Sequence, residues 1–276
     1  MDISRTAEIM GAEVRGLCPS MFYTSEVAAE LNQALLDHQK LCLKDQELTP
    51  GEYAVLGQVF GAPKPQLVKK LHLEGIPEIS VISNYNDLKN GKPYVSANYW
   101  HTDGSYFAVP AKATMLYGKA LPADGGDTQF INTYAVLDAM PADLRARIDG
   151  VRAVHVYVSR RGKSLVQNRS NDEDDKTPPV VHPLIRTHPE TGRQSLYINP
   201  NRIDHIEGMS LEDGDSLLDE LYEFAFQEKF QHRHQWTLGD IIVWDNRCTM
   251  HRASNDFDVT QRREFHRILL EGTVPV

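Results

Sequence analysis

The residues best suited to chemistry in this chain sit in one short run, Tyr99-Trp100-His101-Thr102-Asp103-Gly104. In an extended segment side chains alternate faces, so His101 and Asp103 would point the same way, with Cβ atoms roughly 6–7 Å apart. At that spacing an imidazole and a carboxylate can meet one metal ion from adjacent corners. One more imidazole completes a facial triad and leaves coordination positions open for an oxidisable co-substrate and O₂. Zinc favours more histidine or cysteine ligands closed into a tetrahedron, and no such set stands nearby. H-x-D alone is weak evidence, because a plain surface His–Asp pair looks the same. Trp100 and Tyr106 favour the metal, since they offer apolar walls to a pair that water would otherwise surround.

The second imidazole has to come from a distant strand. Of the eleven histidines, His251 has the most suggestive setting. It follows a turn and an apolar run, Gly239-Asp240-Ile241-Ile242-Val243-Trp244-Asp245-Asn246, and precedes the basic strand Gln261-Arg262-Arg263-Glu264-Phe265-His266-Arg267. A cation beside a metal inside a barrel needs a partner, because an unpaired buried charge is costly. A dicarboxylate that chelates the metal at one end supplies one, since the arginine fork can hold the far carboxylate. The plainer alternative is a solvated arginine face paired with Asp256, Asp258 and Glu264. Cys248, three residues before His251, has no sulfur neighbour and reads as a buried bystander.

The elements that must position these groups are mostly short strands. Expected strands are Ile79–Ile82, Thr114–Lys119, Thr128–Ile131, Val151–Val158, Ser195–Ile198, His232–Thr237, Asp240–Trp244 and Glu264–Leu270. Residues 1–62 carry helical signals: an apolar face over Thr24–His38, and a capping box at Thr49-Pro50-Gly51-Glu52 leading to Phe60 and Gly61. Leu41-Cys42-Leu43 between them reads as a buried strand. Helices are also expected at Ala142–Ile148 and Leu211–Gln227. This pattern predicts a mainly β fold with flanking helices, a sandwich or open barrel, forming a single domain over 1–276. Residues 160–179 are polar and charged, the composition of a lid or a disordered loop.

Composition narrows the partners. A net charge of −9 with no long basic run argues against nucleic acid and anionic membranes. No signal-peptide pattern and no run of about 18 apolar residues is found. The three cysteines, Cys18, Cys42 and Cys248, lack CxxC spacing and read as reduced thiols, which points to a cytoplasmic setting.

Taken together, the ordered motifs resemble the taurine dioxygenase family of Fe(II)/2-oxoglutarate-dependent oxygenases, and within it the aryloxyacetate-cleaving branch. The matches run from Gly11-Ala12-Glu13-Val14 through Trp100-His101-Thr102-Asp103, Gly125-Gly126-Asp127-Thr128 and Pro183-Leu184-Ile185-Arg186-Thr187-His188. They continue to Trp244-Asp245-Asn246-Arg247, His251 and Gln261-Arg262-Arg263, ending at Arg267. The resemblance implies a double-stranded β-helix (jelly roll, cupin-like) with iron held by His101, Asp103 and His251. It implies Fe(II), 2-oxoglutarate and O₂ as cofactors, release of succinate and CO₂, and oxidation of a substrate C–H bond. It also implies that Thr128 and one arginine hold the distal carboxylate of 2-oxoglutarate.

Spacing from His251 would admit Arg262 for that role, but placing an insertion in the loop Ser254–Val259 favours Arg263. Alternation then puts Arg263, Phe265 and Arg267 on one face. Arg267, about 13 Å further along, matches the family's substrate-anion arginine and makes a small, anionic organic substrate the expectation. The family's sulfonate-binding histidine aligns with Leu67, which disfavours taurine itself, and Asp103 disfavours the related halogenases. Two other classes remain open: a cupin-like metal enzyme without oxygenase activity, and a non-catalytic ligand-binding barrel. A homo-oligomer is compatible with the family, and nothing in the residues fixes it.

Overall fold

Thr49 begins the most strongly specified local element. Its hydroxyl accepts from the Glu52 N–H at 3.3 Å, while the Glu52 carboxylate accepts from the Thr49 N–H at 2.8 Å. Pro50 sits in the first turn, where its missing N–H costs nothing. The helix runs Pro50–Phe60, and the preceding helix Ser25–His38 passes through Gln39 (φ 59°) into strand Lys40–Leu43. Leu31, Leu35, Leu56 and Phe60 from the two helices join the core around Met115, Val243 and Ile268 of the main sheet.

In this computed structural model, residues 1–65, 67–86, 88–89, 91–95, 97–162 and 177–276 are described. The main sheet is nine-stranded. Its order is Asp2–Arg5, Ala12–Arg15, Lys40–Leu43, Ile241–Asp245, Ala113–Ala120, Glu264–Leu270, Ile76–Ser83 and His72–Leu73, with Pro63–Lys64 paired to Glu264–Leu270. Every described pairing is antiparallel except Ala12–Arg15 with Lys40–Leu43. A small sheet, Gln231–His234, Thr128–Asn132 and Thr249–Ala253, packs against it through Phe130 and Trp244, whose ring centroids lie 5.5 Å apart. Strands Val180–Pro183, Arg152–His155 and Ile203–Ile206 form a third sheet. Helix Leu211–Ala225 shares its core, contributing Leu217, Leu218 and Leu221.

The fold is mainly β with flanking helices, a double-stranded β-helix whose sheets stay open. The segment 1–62, where helices and one strand at Leu41–Leu43 were expected, supplies three consecutive strands at one side of the main sheet. All three are only four residues long, too short to show an alternation of their own, and pairing with neighbours makes them strands. Helix Thr133–Asp138 was not anticipated; Asn132 caps it by accepting from the Tyr134 and Ala135 N–H groups. Of the segment 160–179, read as a lid or a disordered loop, residues 163–176 lie outside the described residues. Among the described residues no helix is long and apolar enough to cross a membrane.

Candidate metal centre

His251 stands on strand Thr249–Ala253, opposite Phe130 of the neighbouring strand. On its other side it forms an isolated bridge with His101. The His101 N–H donates to the His251 carbonyl at 3.0 Å, and the His251 N–H returns the bond at 2.8 Å. Residues opposed across such a bridge share a face, and the two imidazole centroids lie 4.2 Å apart. The chain does not stay extended beyond His101, as alternation would require. It turns at Asp103 and Gly104 (φ 71°), and that turn brings the Asp103 carboxylate to the imidazoles. His101 Nε2 is 3.9 Å from Asp103 Oδ1, and His251 Nε2 is 3.8 Å from Oδ2. All three ligand atoms lie within 4.8 Å of one another, and all three residues are buried.

These separations are too long for hydrogen bonds, so the three residues spend no lone pair on one another. His101 Nδ1 lies 2.8 Å from the Tyr99 carbonyl and must donate there, which leaves the Nε2 lone pair facing the centre. Burial, followed by the nearby His101, holds the His251 imidazole down at about 3, so it is neutral at pH 7. Burial pushes Asp103 up, but His251, Arg267, His101 and the Thr114 hydroxyl outweigh it and hold the carboxyl at about 2. Thr114 Oγ1 donates to Asp103 Oδ2 at 2.7 Å, Asn246 Nδ2 donates to Thr114 Oγ1 at 2.8 Å, and Trp244 Nε1 donates to Asn246 Oδ1 at 2.9 Å. This chain of donors fixes the carboxylate from behind. Two neutral imidazoles and one anion, open on one side, fit a divalent iron ion.

Beside them lies a cavity of about 190 Å³ whose wall includes His101, Asp103, Arg202, Arg263 and Arg267. Arg263 is buried, donates Nε–H to the Gly126 carbonyl at 2.7 Å and stacks over Phe265. Burial draws its guanidinium down to about 10. Arg262 is turned outward and paired with Glu264 at 2.5 Å, and Arg233 takes up Asp256. The outward-facing alternative therefore describes Arg262 and not Arg263. Arg267 Nη1 is 3.9 Å from Asp103 Oδ1, and its buried Nε has no hydrogen-bond partner. Thr128 stands opposite the wall residue Ala253; its hydroxyl accepts from Trp236 Nε1 at 3.0 Å, leaving its own proton to donate. Cys248 is buried with its Sγ 3.9 Å from the Asp245 carbonyl, and none of the described wall residues is a cysteine. Near Leu67, the wall is formed by the apolar Val68 and Leu71. Sequence reasoning passed over Arg202 and Thr114, since neither belongs to a spaced motif.

The model of the family described as "Taurine catabolism dioxygenase TauD, TfdA family" matches residues 3–269. The chain belongs to this family. It is 31% identical over 249 residues to the alpha-ketoglutarate-dependent 2,4-dichlorophenoxyacetate dioxygenase of Cupriavidus pinatubonensis, covering 86% of each chain. A taurine dioxygenase structure from Burkholderia xenovorans superposes with TM-score 0.83 at 31% identity, over 100% of this chain and 92% of that one. The structure of AAD-2 in complex with Mn(II) and N-oxalylglycine gives TM-score 0.83 at 29% identity, over 99% of this chain and 98% of that one. The protein is an oxidoreductase, a dioxygenase dependent on Fe(II), 2-oxoglutarate and O₂.

Proposed function

We propose that His101, Asp103 and His251 hold the iron of this dioxygenase, that Arg263 and Thr128 hold the distal carboxylate of 2-oxoglutarate, and that Arg267 binds an anionic group of a small organic substrate. The bound iron supplies the oxidising chemistry: O₂ and 2-oxoglutarate become succinate and CO₂ while a substrate C–H becomes C–OH. The protein's part is binding and orientation. Arg263 offers its guanidinium to the cavity, and among the described residues no carboxylate lies within 4 Å to neutralise it. A carboxylate held there in two charge-assisted bonds would be desolvated and fixed. The Gly126 carbonyl positions Arg263 two residues from Thr128, so both groups can address one anion.

The observation that carries the substrate reading is Arg267. It is a cation in the cavity wall with an unpartnered Nε, and among the described residues the one carboxylate within 4 Å of it is that of Asp103. Once a metal occupies the triad, Asp103 is committed to it, and Arg267 needs another anion. The aryloxyacetate named for the Cupriavidus relative is the class of small acid that would satisfy it. Three unpaired thiols suit a cytoplasmic enzyme. The test is succinate release by anaerobically purified protein given Fe(II), 2-oxoglutarate, O₂ and a panel of small organic acids. Acid-stimulated release in the wild type that disappears in Arg267→Gln supports the proposal. Equal stimulation in both proteins would sink the assignment of Arg267.

A further inference from the structure

Arg202 is the one cavity cation among the described wall residues that the iron, 2-oxoglutarate and a singly charged substrate leave unused. It leaves the turn at Pro200 and Asn201 just before strand Ile203–Ile206. Its guanidinium carbon lies 4.4 Å from the Tyr157 ring centroid and 4.9 Å from that of Tyr106, so two aromatic faces hold the fork in place. One Nη donates to the Tyr157 carbonyl. Among the described residues, no carboxylate comes within 4 Å of it. Two other half-buried arginines, Arg160 and Arg161, are by contrast neutralised by Asp215 and Asp219.

The charged side chains on the described wall are Asp103, Arg202, Arg263 and Arg267, one anion against three cations. A divalent iron and the 2-oxoglutarate dianion cancel each other, so the wall keeps its excess of two positive charges. A monoanionic substrate would satisfy Arg267 and leave Arg202 facing the cavity unbalanced. A second anion answers that charge, and the rings of Tyr106 and Tyr157 beside it suit a flat apolar body.

We infer that the substrate is a dianion: one anionic group meets Arg267, the other meets Arg202, and an apolar, preferably aromatic body lies between them. The inference rests on the reading of Arg267 as an anion receptor and deepens it, making Arg202 the residue that selects for the second charge.

The test uses two probes of the same shape that differ by one charge, 4-carboxyphenoxyacetate and 4-carbamoylphenoxyacetate. Each is titrated by calorimetry into protein loaded with Mn(II) and N-oxalylglycine, so that binding is read without turnover. The wild type should bind the carboxylate tighter by about tenfold or more, as a charge-assisted arginine pair implies. Arg202→Gln should bring the ratio to about one and Arg202→Lys should keep part of it, while Arg267→Gln should weaken both probes. Equal affinities in the wild type overturn the dianion inference while the Arg267 reading stands. A ratio that survives Arg202→Gln overturns the role of Arg202. If neither probe binds the wild type, the small-acid reading itself fails, and this inference with it. Succinate release with the two probes should follow the same order.

Discussion

Among the described residues, two buried clusters offer a metal three donors each, and the two differ in whether the protein's own cations already occupy those donors. His101, Asp103 and His251 meet at one end of the cavity, and Cys42, His234 and Asp240 meet between strands of the main and small sheets. The second set is already neutralised by the protein's own cations. Lys44 Nζ lies 2.6 Å from Asp240 Oδ1, and Lys40 Nζ lies 3.4 Å from His234 Nδ1 and 3.2 Å from His232 Nε2. Burial pushes the Cys42 thiol up to about 12, so it offers no thiolate. Around the first set, among the described residues, the only lysine or arginine in contact range of the carboxylate is Arg267, at 3.9 Å, and Asp103 keeps its charge. Donor type and spacing are thus not sufficient. A site must also leave its charge unsatisfied and its open side facing space.

The comparison is broken most directly by moving the metal. His101→Ala should lower turnover by roughly three orders of magnitude or more and abolish tight Fe(II) binding, because the open triad loses a ligand. His234→Ala should leave the metal stoichiometry at one per chain, read by calorimetric titration of anaerobic protein. A second equivalent lost with His234 would show that the inner cluster is also a site.

The next largest effect separates the two adjacent arginines. Arg263→Ala should raise the KM for 2-oxoglutarate by roughly a hundredfold, the usual scale for truncating one partner of a buried charge pair. Arg262→Ala should change it by no more than about twofold, since an exposed pair such as Arg262–Glu264 is worth little. The reverse order would place the register of this strand off by one. Behind the metal, Thr114→Val should cost about tenfold in metal affinity, the scale for removing a hydrogen bond that orients a ligand.

How far these residues could be read from sequence follows from how local their signals are. The capping box at Thr49 and the turn-strand-histidine run from Gly239 to His251 are written in consecutive residues, and both lie where expected. The choice of Arg263 over Arg262 rested on placing an insertion in the loop Ser254–Val259, with alternation following from it; in the fold Arg263 is buried and Arg262 is exposed. The turn at Asp103 was not legible. H-x-D is compatible with a strand, and the bridge to His251 fixes His101 alone. The strand Thr249–Ala253 has a mixed composition and exists through its pairing with Thr128–Asn132. Arg202 looks like any polar residue of a turn until Tyr106 and Tyr157 are folded against it, from about 96 and 45 positions away in the chain.

The smallest expected effect concerns the cations that sit against the inner cluster. Burial holds the Lys40 amine down at about 8, against 10.5 when it is exposed. Between those values the unfolded chain keeps a proton that the folded protein has released, so this lysine makes stability rise with pH across the window. Cys42 acts the other way above 9.0, because its folded thiol keeps its proton up to about 12. The wild-type profile mixes the two, but the difference between wild type and Lys40→Met isolates the lysine. Urea unfolding should find Lys40→Met relatively more stable at pH 8 than at 10.5, with the gap narrowing by about 2 kcal/mol across that range. Metal stoichiometry should stay at one in Lys40→Met, because a thioether at this position adds no strong ligand for Fe(II) to Cys42, His234 and Asp240. A gap that does not change with pH would mean that Lys40 is solvated in the folded protein. The case against a metal at the inner cluster would then rest on Lys44 and on the protonated Cys42 thiol.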